Sequence, residues 1–269
     1  MRARTSSRVE LAASELGRFA RRALARPARV IARFESSCYV ASSAGIACLG
    51  GAGLGSGPLN AIVPSLARMP ALGAEVRVST RGARLWRRPQ PVPAVAARPR
   101  RLPMARARGM FSVAHPAADA LREWLAAGAR GTAPRALANI IGMGPGLTPA
   151  GDDFVGGALV ALRATHRHAC AARLGDWALR RAARDTNRIS RAHLACAAQG
   201  EGGSALHALL NALIAGRQDV SAEIAAIDAV GHSSGWDAAA GAALVLELAM
   251  PPRTPRARSR APATRRARR

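Results

Sequence analysis

The stretch IIGMGPGLTPAGDDFVGGALVAL, Ile140 to Leu162, limits the possible fold more than any other part of the chain. Gly142, Gly144 and Gly146 allow positive φ and let the backbone approach another group with no Cβ in the way. Thr148 is a good N-cap, and Pro149 suits the first helical position. Asp152 and Asp153 then fall in the first turn, at the positive end of the helix dipole. The apolar run behind them predicts a buried helix of roughly 14 residues. A glycine loop entering a helix offers N–H groups to phosphate or carboxylate. Gly144, Gly146 and Thr148 are therefore candidate substrate contacts. Asp152 and Asp153 are candidate catalytic carboxylates, able to take a proton, bind an amide or hold a metal, with Mg²⁺ the ion to consider and no other cofactor implied. The glycines match neither a Walker A loop, since no Gly-Lys-Ser/Thr follows, nor GxGxxG. The plainer alternative is a tight turn into a well-capped acidic helix.

A second stretch, VGHSSGWDAAAGAAL (Val230 to Leu244), repeats this logic. Ser233 or Ser234 caps a helix, Asp237 lies in its first turn, and His232 at the glycine-flanked junction can act as acid or base near neutral pH. If both helix starts face one pocket, they suit a small anion. TNRISRAHLACAAQGEG (Thr186 to Gly202) supplies a third wall, with Thr186, Arg188 and Ser190 as substrate contacts and Arg188 as a bidentate clamp. The remaining histidines lack metal-ligand spacing, and the sequence predicts no metal site from them. Of these, His193 is a minor candidate, and His166 and His168 read as exposed.

The string GMGPGLTPAGDDFVGG resembles the signature of the bacterial family typified by AllH, a subunit of oxamate carbamoyltransferase, and the two further stretches support the likeness. A weaker echo is GSGPLNAI (Gly55 to Ile62), which brings in Asn60 as a substrate contact. The resemblance spans roughly residues 28 to 250. It implies a part in carbamoyl transfer between carbamoyl phosphate and oxamate, giving oxalurate and phosphate, within allantoin and purine degradation. It also implies partner subunits. Such a transfer needs anion donors, a carbonyl polariser and a proton acceptor; glycine-loop N–H groups, Arg188, and Asp153 or His232 are the groups this chain offers. A different class of reading is a non-catalytic module that binds a small anion or nucleotide.

The 269 residues allow one large domain or two small ones, and the expected class is α+β. Residues 1–27 read as a basic amphipathic helical extension, superficially like a transit peptide but without a secretory apolar region. Residues 28–88 read as a β-rich part, with VIARF and CYVAS paired as one hairpin and EVRVST and ARLWR as another around Arg81-Gly82. Residues 89–116 are a Pro/Arg-rich linker, 117–250 a helical part holding both glycine–acid motifs, and 251–269 a disordered Arg/Pro tail. The formal charge of +24 comes wholly from arginine, with no lysine anywhere, which fits a GC-rich genome as well as a polyanion partner. With no nucleic-acid motif and few aromatics, nucleic-acid binding is the weaker reading. The four scattered cysteines read as reduced thiols of a cytoplasmic protein, and no membrane span is expected.

Overall fold

The computed structural model describes residues 8–65, 69–92, 102 and 115–248. Strands come first and helices after, the α+β class expected from the sequence. The strands are β1 (Arg8–Ala12), β2 (Glu15–Gly17), β3 (Ala28–Arg33), β4 (Ser37–Ser42), β5 (Gly45–Gly50), β6 (Asn60–Ile62), β7 (Glu75–Ser79) and β8 (Arg84–Trp86). They form one sheet in the order β1-β7-β3-β4-β5-β6-β2-β8, curled as a half-barrel. Alternation on the pleated surface turns Val30, Cys38, Val40, Ala47, Leu49 and Val76 inward as its core.

The β3–β4 hairpin forms as the sequence predicts, with Val30 opposite Val40 and a bulge before Ala32. The second expected hairpin does not. β7 pairs with β1 in parallel and with β3 antiparallel, whereas β8 pairs with β2 in parallel. The Arg81-Gly82 turn carries the chain from the second strand of the sheet order to the last, because long-range partners decide strand pairing.

The helix expected over residues 1–27 is also corrected. Its described residues are β1, β2 and a helix, α1 (Arg18–Leu24), of seven residues. Val9-Glu10-Leu11 alternates, and β7 offers it an edge to pair with. α1 lays Ala20, Ala23 and Leu24 on the sheet and leaves Arg21 and Arg22 outward. Glu15 is buried and takes the Arg84 guanidinium and the Ser56 hydroxyl as partners. Residues 8–24 are thus part of the strand-bearing body.

Among the described residues seven helices follow: α2 (Pro116–Ala126), α3 (Ala150–Ala164), α4 (His168–Asp185), α5 (Arg188–Ala198), α6 (Ser204–Ile214), α7 (Ser221–Asp228) and α8 (Ser234–Leu248). α3 lies at their centre, in contact with α4, α5, α6 and, most extensively, α8. Phe154, Leu159 and Leu162 of α3 are fully buried, each contributing roughly 1.5–3 kcal/mol. α3 and α8 touch backbone to backbone: a Cβ at Gly157 would collide with the Ala238 carbonyl, and one at Gly241 with the Phe154 carbonyl. Leu102 joins the helical core, while the rest of the segment 93–114 and the arginine tail lie outside the described residues. Among the described residues no helix is long and apolar enough to cross a membrane.

Candidate functional site

The loop before α3 is fixed by side chains from three directions. Gly142 and Gly144 adopt φ of 81° and 109°, and a Cβ at Gly142 would run into the Asp185 carbonyl. Only glycine allows that turn to close against the end of α4. Asp152 is buried, and its Oδ1 accepts the Gly142 N–H at 2.8 Å. Its Oδ2 accepts the hydroxyls of Thr186 at 2.5 Å and Ser190 at 2.6 Å. Asn187 caps α5 through the N–H groups of Ile189 and Ser190, and its amide donates to the Leu147 carbonyl at 2.9 Å. Asp152, Thr186 and Ser190 therefore come together as a strut that pins the glycine loop to the α4–α5 junction.

The N-cap of α3 is Pro149, not Thr148. Proline's fixed φ fits the extended cap conformation found there, φ −55° and ψ 141°. Thr148 is left free to make a different contact, and its hydroxyl lies 2.9 Å from the Ser234 hydroxyl. The starts of α3 and α8 thus sit side by side, as the paired motifs suggest. The first-turn N–H groups are largely taken. Those of Gly151, Asp152 and Asp153 go to Met143 and Pro149 carbonyls, and those of Gly235, Trp236 and Asp237 to Val230 and Ser233 carbonyls.

Asp153 sits where the two starts meet. Its Oδ2 is buried with no hydrogen-bond partner among the described residues, and the Ser234 and Thr148 hydroxyls lie beside the carboxyl. Burial holds this carboxyl well above the usual carboxylate range; the Asp237 and Asp152 charges push the same way, and the two hydroxyls partly offset them. From the sheet, β4 brings Tyr39 within electrostatic reach of Asp153. Its hydroxyl is 2.8 Å from His193 Nε2 on α5. Burial, with Cys48 and Asp153 adding, raises the phenol well above its ordinary value. Burial likewise lowers His193 to about 4, so this ring is neutral at physiological pH.

The other expected residues stand apart. His232 and Arg188 are exposed, and no hydrogen bond or ion pair among the described residues ties either to Asp153. Ser233 accepts the Trp236 and Asp237 N–H groups through its carbonyl. Gly146 lines open space. Asn60 donates to Gly55 within its own loop, and that loop packs on the start of α6 through the Ser204 N–H to the Ser56 carbonyl. His207 is a core residue whose Nε2 accepts the Gly202 N–H. His166 and His168 are exposed. No group of three or more His, Cys, Asp or Glu able to hold a metal ion occurs among the described residues. All four cysteines are buried free thiols. Tyr39 and Asp237 escape the sequence reading as site residues. Asp237 carries a signal, the same glycine–acid spacing as Asp153; Tyr39 carries none.

Residues 140–246, which hold both glycine–acid motifs, match the family described as oxamate carbamoyltransferase subunit AllH. Over this stretch the chain is AllH-like. The matched segment begins at Ile140, so the Gly55–Ile62 echo lies outside it. No curated protein and no solved structure matches the chain.

Proposed function

We propose that this AllH-like chain serves as a subunit of an oxamate carbamoyltransferase-like enzyme and receives its small substrate where α3 and α8 begin. The observation that carries the reading is the meeting of the two starts over Asp153: Thr148 and Ser234 lie 2.9 Å apart, beside a buried carboxyl oxygen with no hydrogen-bond partner among the described residues. In the forward reaction the oxamate nitrogen bonds to the carbamoyl carbon. The carbon–oxygen bond to phosphate breaks, phosphate leaves with the electron pair, and the nitrogen loses a proton. Asp153, a buried carboxyl whose proton affinity burial raises, is the acceptor the site offers for that proton. Thr148 and Ser234 supply short hydroxyl donors for a carbonyl or phosphoryl oxygen. Partner subunits, implied by the family description, complete the assembly.

The test is thermal stabilisation of the full chain, alone and with its partner subunits, by carbamoyl phosphate, oxamate, phosphate, ATP and Mg²⁺. A ligand at 100 times its dissociation constant stabilises by about 2.7 kcal/mol. A shift with carbamoyl phosphate or oxamate that disappears in Asp153→Leu is the expected result. No shift in either setting refutes the reading.

A further inference from the structure

The chain turns back on itself as soon as it leaves α2. Gly128, Ala129 and Gly131 take φ of 80°, 54° and 69°. Ala129 is buried in this left-handed conformation, which a residue with a Cβ adopts rarely. Its neighbours hold it there. The Ala129 N–H goes to the Trp124 carbonyl at 2.7 Å, and the Trp124 indole N–H donates to the Arg130 carbonyl at 3.0 Å. Trp124 is thereby buried and fixed in orientation, and Trp177 of α4 stands edge to face against it, with ring centroids 5.9 Å apart. The Arg173 guanidinium reaches from α4 to the Gly128 carbonyl at 2.9 Å. Between this loop and α4 lies a cavity of about 560 Å³, within the range of small-molecule sites.

The cavity is lined by two kinds of group. The two indoles make an aromatic wall, and Trp177 is only half-buried, so part of its ring is open to a ligand. Arg130, Arg173 and Arg180, all exposed, bring three guanidinium groups to the rim against one carboxylate, that of Asp176. On α4, Arg173 precedes Trp177 by four residues and Arg180 follows it by three, so both share its face, about 5–6 Å away. A ring lying on Trp177 therefore has a cation within one helical turn on either side.

We propose that this cavity binds a nucleoside phosphate, with the base against Trp177 and the phosphate on the arginines. An indole face stacks any of the bases, and a guanidinium fork matches phosphate oxygens in geometry and charge. A concave site between a loop and a helix suits a small molecule better than a flat protein surface. None of the lining residues belongs to the site where α3 and α8 begin, so the two readings stand or fall separately.

The experiment is calorimetric titration of the full chain with AMP, GMP and UMP at physiological ionic strength, with adenosine and inorganic phosphate as the two halves of the ligand. The expected result is one site for a nucleotide, with adenosine and inorganic phosphate each at least about tenfold weaker, since neither engages both the indole and the guanidinium groups. Nucleotide binding should also quench tryptophan fluorescence. Trp177→Leu and Arg180→Gln should each weaken binding by about tenfold or more. Arg180 is exposed, so its variant decides the matter even if Trp177→Leu fails to fold. Inorganic phosphate binding as tightly as the nucleotides, nucleotide affinity unchanged in Arg180→Gln, or no binding of any of the three nucleotides overturns the proposal.

Discussion

Gly157 of α3 rests its bare Cα against the backbone carbonyl of Ala238 in α8, so the two helix axes meet with no side chain between them. Gly157→Ala must part the helices and with them the joined starts at Thr148 and Ser234. We expect a loss of about 3 kcal/mol in urea denaturation. Gly156→Ala is the control: its Cβ would meet only Ala197 Cβ at 3.8 Å, an ordinary contact, and helix propensity favours alanine by up to about 1 kcal/mol. Equal losses in both variants would refute the close crossing.

Asp152 is predicted to be a structural member of the site. Asp152→Ala strands the Gly142 N–H and the Thr186 and Ser190 hydroxyls, a cost of about 3 kcal/mol or more. Hydrogen exchange should show the Gly142 amide opening in this variant. Slow exchange at Gly142 despite the substitution would count against the strut.

Acid sensitivity should trace to two histidines. Burial lowers both His193 and His207 to about 4, with Arg88 adding at His207, against an unfolded value of 6.5. A base with a depressed folded value binds fewer protons when folded. Its contribution is therefore intact above 6.5 and is lost as pH falls toward 4, by up to about 3 kcal/mol for each ring. Melting temperature followed from pH 7 to 4 should fall steeply in wild type and less in His207→Gln. A parallel decline in both proteins would contradict the assignment.

Tyr39 is the chain's single tyrosine, so its ionisation can be read directly from tyrosinate absorbance. With its phenol raised well above 10, no tyrosinate should appear in the folded protein at pH 10. Unfolding in urea at the same pH should release it. Tyr39→Phe removes the His193 hydrogen bond at a cost of about 1 kcal/mol and leaves the sheet in place. Ordinary titration of Tyr39 in the native protein would contradict its burial.

What the sequence discloses is what short-range physics determines. The α3 start and the β3–β4 hairpin each depend on residues within a few positions of one another, and both are legible. Thr148 is misassigned by one position because both it and Pro149 suit a cap, and only contact with Ser234 separates them. Residues 8–17 read as helix because arginine and alanine favour it, yet β7 and β6 capture them as strands. Tyr39 is invisible because its partner His193 lies 154 residues away, and nothing in SCYVAS announces a polar contact beyond the strand. Arg188 and His232 draw attention by type alone; the fold turns both toward solvent.

The passage from β1 into β2 across Ala13-Ser14, matched by that from β7 into β8, also governs how the chain must assemble. β1 finds its partner only after Glu75–Ser79 has been made, and β2 waits for Asn60–Ile62 and Arg84–Trp86. Closure of the sheet is therefore a late, long-range event. Deleting residues before Ala28 would leave β6, β7 and β8 with open edges that invite association between copies.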